Sequence, residues 1–136
     1  MWQDPIQVVV PAGHALTRLA TVTLADVYAY PLIVCHPPCD AAASAGLHAL
    51  LDSHPDQPVI GQYASSIPCM LALMAAGFGA SFITQFQARS VACQDVCFVP
   101  LSEPSAVFPA YALYRPGALR QADGRFLAMA DSEFVL

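Results

Sequence analysis

Two pairs of cysteines are spaced so that they could hold a metal ion or act as a thiol switch. Cys35 and Cys39 enclose His36, and Cys93 and Cys97 are likewise separated by three residues. Zinc favours tetrahedral sets of cysteine and histidine, so Cys35, His36 and Cys39 are candidate ligands. However, a typical zinc knuckle separates its cysteines by two residues, and Cys35 and Cys97 lie in apolar runs where cysteine commonly serves as packing. A metal-sensing or thiol-redox-sensing domain is therefore an alternative interpretation.

Two adjacent serines could bind an anion. Ser65 and Ser66 precede Ile67 and Pro68 at the start of a long apolar stretch. Serine is a good N-cap and proline is tolerated in a first turn, so the pattern predicts a helix that begins here. A helix N-terminus carries unpaired N–H groups and partial positive charge, which suit a carboxylate. The alternative is that Ser66 only caps the helix.

Catalysis is not indicated by the motifs of the chain. Cys35, His36 and Ser65 are nucleophile or base types. No nucleophile elbow, phosphate loop or His-Glu-x-x-His motif accompanies them. We expect that the protein is not an enzyme and uses no cofactor.

The composition argues against direct nucleic-acid binding. The chain has 136 residues, 57% of them hydrophobic and 11% charged, with a net charge of -5 and no lysine. A basic surface of the kind that binds nucleic acid is therefore not expected. We see no signal peptide and no apolar stretch of comfortable membrane-spanning length. The odd number of cysteines, five, fits a reducing cytoplasm better than a secreted setting.

The elements that must position these residues alternate along the chain. β-Branched runs and turn residues predict strands at residues 6–10, 31–35, 57–63, 80–83, 96–101 and 108–114. Capping residues and apolar periodicity predict helices at residues 23–30, 40–53, 65–76, 84–91 and 123–134. Such alternation indicates an α/β fold with a largely parallel sheet.

Three stretches resemble the effector-binding domain of LysR-type transcriptional regulators. Residues 2–16 are similar to the family's acidic residue, apolar strand and Pro-x-x-His-x-Leu segment. Residues 22–33 contain its Leu-x-Asp and Pro-Leu-Ile pattern, and residues 64–82 resemble its apolar helix, Gly-x-Gly turn and strand. Residues 97–101 look like the strand that returns to the first subdomain. Their shared order covers nearly the whole chain.

The resemblance implies a fold like that of type II periplasmic binding proteins, with two lobes joined by two crossing strands. Residues 12–102 would form a complete subdomain II, and residues 1–11 and 103–136 a partial subdomain I. The implied hinge consists of Val10, Pro11, Pro100 and Leu101. The resemblance, and the rule that ligands lie beyond the carboxyl ends of strands in α/β sheets, imply an effector site formed by Ser65, Ser66, Ile67, His36, Thr84 and Gln85.

The function implied is sensing of a small anionic metabolite in order to control transcription. The family's N-terminal helix-turn-helix is absent from this sequence, so DNA would be contacted only through that region. Strand edges left open by the partial subdomain predict a homodimer or higher oligomer. We expect a cytoplasmic protein with no membrane partner. A fragment of a periplasmic solute-binding protein, which has the same fold, is a further alternative.

Overall fold

The computed structural model of the chain describes residues 2–35, 41–111 and 124–129. The described strands are β1 (Trp2–Pro11), β2 (Leu32–Cys35), β3 (Ile60–Ala64), β4 (Ser81–Thr84), β5 (Val96–Pro100) and β6 (Val107–Ala110). The described α-helices are α1 (Leu24–Tyr28), α2 (Ala41–Asp52), α3 (Ile67–Ala75) and α4 (Gln85–Ser90). A 3-10 helix, Ala15–Arg18, follows β1, and residues 124–129 are also helical.

The predicted types of these elements are confirmed, although their ends shift. The first strand begins at Trp2 rather than Ile6, and the predicted cap Asp40 and half of the predicted last helix lie outside the described residues. Within the described part, no helix is long and apolar enough to cross a membrane.

β1 is the central strand. The second half of β1 pairs with β4 on one side and with β5 on the other, and its first half pairs with β6. All three pairings are antiparallel. β2 pairs with β3 in parallel, and a parallel bridge between Leu32 and Ala80 joins them to β4. Strands β2 to β6 therefore run in one direction and β1 in the other. The expectation of a largely parallel arrangement is right for these five strands, and β1 is the exception, because apolar periodicity does not encode strand direction.

Both faces of the sheet are covered. Successive strand residues point to opposite faces, so Val8 and Val10 enter one core and Val9 the other; all three are 0% exposed. The first core includes residues of α1 and the end of α2, and the second includes Met70 and Met74 of α3. This double coverage explains the continuous apolar run in β1.

Local chemistry fixes the helix ends. Thr23 and Asp26 form a capping box: Thr23 Oγ1 accepts from Asp26 N–H at 3.2 Å, and Thr23 N–H donates to Asp26 Oδ2 at 2.9 Å. Gly77, with φ +85°, follows the end of α3 as predicted. Gly79, with φ +154°, lets the chain pass close to Pro31, whose carbonyl oxygen would lie 2.2 Å from any added Cβ.

β1 changes its partner at Ile6. Trp2 to Pro5 pair with β6, whereas Gln7 to Pro11 pair with β5, and Ile6 N–H donates to Ala106 O at 2.8 Å. We call residues 6–101 the lobe, and the described residues 2–5, 102–111 and 124–129 the flank. The predicted subdomain limits stay a prediction; the partner exchange favours a boundary at Ile6.

Candidate functional site

The carboxyl ends of three parallel strands meet at one edge of the lobe. Their order across the sheet is β3, β2, β4, with Cys35 opposite Ala64 and Leu32 bridged to Ala80. Ser65 and Ser66 follow β3 at this edge, and Thr84 ends β4 there. Ligands of α/β sheets bind beyond such strand ends. The predicted residues Ser65, Ser66, Ile67, Thr84 and Gln85 are therefore brought to a common edge.

His36 directly follows β2, but it lies outside the described residues, as does Cys39. Their predicted roles as effector contact and candidate metal ligand stay predictions.

The start of α3 offers few backbone donors. Ser66 is its N-cap, as predicted, and Ser66 Oγ accepts from Cys69 N–H at 3.3 Å. Pro68 has no N–H to offer. Ile67 N–H is therefore the first-turn amide that is neither capped by Ser66 nor removed by proline. Ser65 is exposed beside it, and Ser66 and Ile67 are half-buried, so a ligand could reach two hydroxyls and one amide.

Side chains of the protein already form hydrogen bonds at the start of α4. Thr84 is 9% exposed, and its Oγ1 accepts from Gln87 N–H at 3.3 Å, while Gln87 Oε1 accepts from Thr84 N–H at 3.3 Å. Asp4 Oδ1 accepts from Phe86 N–H at 3.0 Å. The Asp4 carboxylate thus occupies the place at which an anion would interact with this helix. An anionic ligand is favoured at α3 over α4, because like charges repel.

Sequence reasoning did not assign Asp4 this role. Asp4 and Phe86 are 82 positions apart, and no local pattern links them. A carboxylate opposite a helix start is identified only after the β1–β4 register places Ile6 beside Thr84.

The four described cysteines pack mainly against the two cores. Cys35, Cys69 and Cys93 pack, partly buried, against the core that contains α3, whereas Cys97 packs against the other core. Cys93 and Cys97 thus contribute to different faces of the sheet, which does not suit joint metal binding. Among the described residues, no group of three or more His, Cys, Asp or Glu side chains could hold a metal ion.

The four predicted hinge residues lie within the hydrogen-bonded network of the lobe. Val10 and Pro11 pair with Cys97 and Val96, and Pro100 pairs with Gln7. Leu101 forms a parallel bridge with Val22. The hinge assignment stays a prediction. The change of partner strand occurs at Ile6, opposite the segment 101–106.

A sequence model of one family, described as LysR substrate binding domain, matches residues 1–134. No curated protein sequence matches the chain. Solved structures give the fold. The effector-binding domain of BenM with its effector benzoate is 22% identical, with a TM-score of 0.78; the match covers 98% of this chain and 63% of that one.

Two further structures are similar. HinK, a LysR family transcriptional regulator from Pseudomonas aeruginosa, is 19% identical, with a TM-score of 0.76 and coverage of 97% of this chain and 46% of that one. The effector-binding domain of QuiR in complex with shikimate is 18% identical, with a TM-score of 0.71 and coverage of 99% and 65%. The chain thus spans less than two thirds of each of these structures.

Proposed function

The chain belongs to the LysR substrate-binding domain family, and on that premise we propose that it binds a small organic carboxylate at the start of α3. The observation that carries this proposal is the meeting of Ser65, Ser66 and Ile67 N–H at the common edge of β2, β3 and β4. Benzoate and shikimate, which occupy two similar domains, are both carboxylates.

The chemistry of the edge favours an anion at one place. The α3 terminus carries about half a positive charge, and a charge-assisted hydrogen bond contributes roughly 1.5–3 kcal/mol. The carboxylate would accept hydrogen bonds from Ile67 N–H and from the serine hydroxyls. At α4 the equivalent position already faces Asp4, so the ligand's charged end is expected to lie toward α3 and its remainder toward β4.

The biological role proposed is effector sensing within a longer transcriptional regulator. The ligand would shift the population of lobe orientations and so reposition a DNA-binding region outside this chain. The net charge of -5 and the absence of lysine favour DNA contact through another region. Self-association, a cytoplasmic location and binding without catalysis belong to the same proposal.

Ser66→Asp is the sharpest test, because aspartate caps a helix about as well as serine. This variant keeps the cap of α3 and places a negative charge where the ligand carboxylate would lie. We expect benzoate, shikimate or a close carboxylate to raise the melting temperature of the wild type. Binding to the variant, measured by titration calorimetry, should be at least about tenfold weaker.

Two controls complete the experiment. Ser90→Asp adds the same charge at the opposite end of α4, where Ser90 Oγ donates to Gln87 O, and should bind like the wild type. Benzamide tests whether the ligand's charge matters. Equal carboxylate affinity in the wild type and Ser66→Asp would overturn the placement, and no response to any carboxylate in the panel would count against the proposed ligand class.

A further inference from the structure

The chain between β5 and β6 leaves the sheet and contacts the start of α1. Gln7 pairs with Pro100 and Pro5 with Val107, so Ile6 alone stands on β1 opposite the segment 101–106. Val22 N–H donates to Pro100 O at 3.0 Å, and Ser102 N–H donates to Val22 O at 2.8 Å. The segment is therefore attached to the residues that lead into α1.

Glu103 adds a side chain to this attachment. Leu24 N–H, the first amide of α1, donates to Glu103 Oε1 at 2.8 Å, across 79 positions of sequence. The Thr23–Asp26 capping box satisfies a different amide of the same turn. Glu103 thus caps α1 from the connection between β5 and β6, with a charge-assisted hydrogen bond.

The other oxygen of Glu103 indicates that the side chain is constrained. Oε2 is buried and has no hydrogen-bond partner among the described residues. Leaving a buried carboxylate oxygen unpaired costs free energy, so the rest of the structure must hold Glu103 in place. A carboxylate with freedom to move would instead turn both oxygens toward water.

The far end of α1 is joined to α2. Tyr28 Oη donates to Leu51 O at 3.1 Å, and the His54 ring meets the Tyr28 ring edge-on at 5.1 Å. Burial above all, and then the negative charges of Asp52 and Glu103, raise the pKa of Tyr28. Tyr28 therefore stays protonated at neutral pH and remains a donor. Its partner helix α2 begins at Ala41, soon after the strand end of β2.

We propose that Glu103 is a positioning residue that holds the connection between β5 and β6 against α1, and that Tyr28 links α1 to α2 beside the candidate site. We call these linked contacts the tie. A displacement of α2 by a ligand would then change the path of the chain as it leaves the lobe. The predicted effect of a ligand on the path of the chain rests on the proposed function, whereas the tie itself does not.

Native-state amide hydrogen exchange, measured by NMR, tests the tie without any ligand. In Glu103→Ala, exchange at Leu24 and Ser102 should rise about tenfold. In Glu103→Gln, which keeps a carbonyl acceptor, it should stay near the wild-type rate. The Val9 amide in the central ladder reports global opening. If Glu103→Ala unfolds the chain, Glu103→Asp serves instead, because it keeps the charge and withdraws the oxygen by one methylene.

Thr23→Ala is the matched control. It removes the cap of Asp26 N–H from the same helix but leaves Glu103 in place, so exchange should rise at Asp26 and not at Ser102. If Ser102 exchanges equally in wild type and Glu103→Ala, or if Thr23→Ala exposes it as strongly, Glu103 does not position the segment.

The extension to α2 is tested by a double-mutant cycle on the His54 amide, which donates to Leu51 O at 3.3 Å. Glu103→Ala and Tyr28→Phe should each raise its exchange about threefold, and the double variant no further. Additive effects would overturn the role of Tyr28.

Benzoate or shikimate, whichever binds, should change Ser102 exchange in the wild type but not in Glu103→Asp. Binding without such a change would refute the coupling between ligand and Glu103, but it would leave the ligand-free tie intact. Absence of binding refutes the proposed ligand class and leaves the tie to be judged by the ligand-free experiments.

Discussion

The lobe and the flank share one strand but differ in how they bury it. In the lobe, Val8, Val9 and Val10 of β1 are completely buried because helices cover both faces of the sheet. In the flank, the first half of β1 pairs with β6, yet Tyr111 and Phe126 remain 64% and 67% exposed. Of flank residues 3–5, 102–111 and 124–129, Ala106 is buried in the first core at 4% exposure, and the others are partly or fully exposed, so burial stabilises the flank less than the lobe. The free energy of unfolding is therefore expected to reside in the lobe.

A matched pair of methionines gives the largest expected contrast. Met74, 0% exposed, fills the core under α3, whereas Met129 in the flank is 67% exposed. Met74→Ala should lower the free energy of unfolding by about 4 kcal/mol, because it leaves a cavity, and Met129→Ala should change it by less than about 0.5 kcal/mol. Urea denaturation followed by circular dichroism measures both. Similar losses of unfolding free energy in the two variants would contradict the proposed difference between lobe and flank.

A pair of glycines gives the next contrast. Gly79→Ala places a Cβ 2.2 Å from Pro31 O at φ +154°, whereas a Cβ at Gly124 in the flank meets nothing within 4 Å. We expect Gly79→Ala to lower the free energy of unfolding by about 3 kcal/mol, because the added Cβ would strain the backbone and push β4 away from β2. Gly124→Ala should be neutral or slightly stabilising, because residues 124–129 are helical. Equal denaturation midpoints would show that the close approach near Pro31 is not required.

The smallest contrast depends on pH. Burial lowers the pKa of His14 from 6.5, and its Nδ1 accepts from Leu16 N–H at 3.2 Å. The unfolded chain therefore takes up the proton first as the pH falls. This contribution to stability is complete above pH 6.5 and is lost as the pH falls through the lower folded pKa.

His14→Asn sharpens this test, because asparagine can cap the same turn without titrating. Its free energy of unfolding should decline less between pH 7.5 and pH 5 than that of the wild type. The described flank contains no histidine, so no imidazole there contributes to this slope. If the free energies of unfolding of the wild type and His14→Asn fell in parallel with pH, His14 would not be the source of the pH dependence.

The helix starts at Thr23, Ser66 and Thr84 were predictable because their causes lie within a few residues. The direction of β1 was not, since it depends on partners in distant parts of the chain. The same holds for Asp4 at α4 and Glu103 at α1, whose bonds span 82 and 79 positions. For the candidate site, sequence and resemblance indicated the serines, but only the register of the strands shows that Asp4 makes α4 the less suitable place for an anion.

The central position of β1 has a consequence for how the protein is made. β1 ends at Pro11, yet its described ladder partners lie between Ser81 and Ala110. During synthesis these pairings can form only after the chain as far as β4 has left the ribosome. Such long-range pairing slows folding and prolongs the time during which apolar strand edges can aggregate.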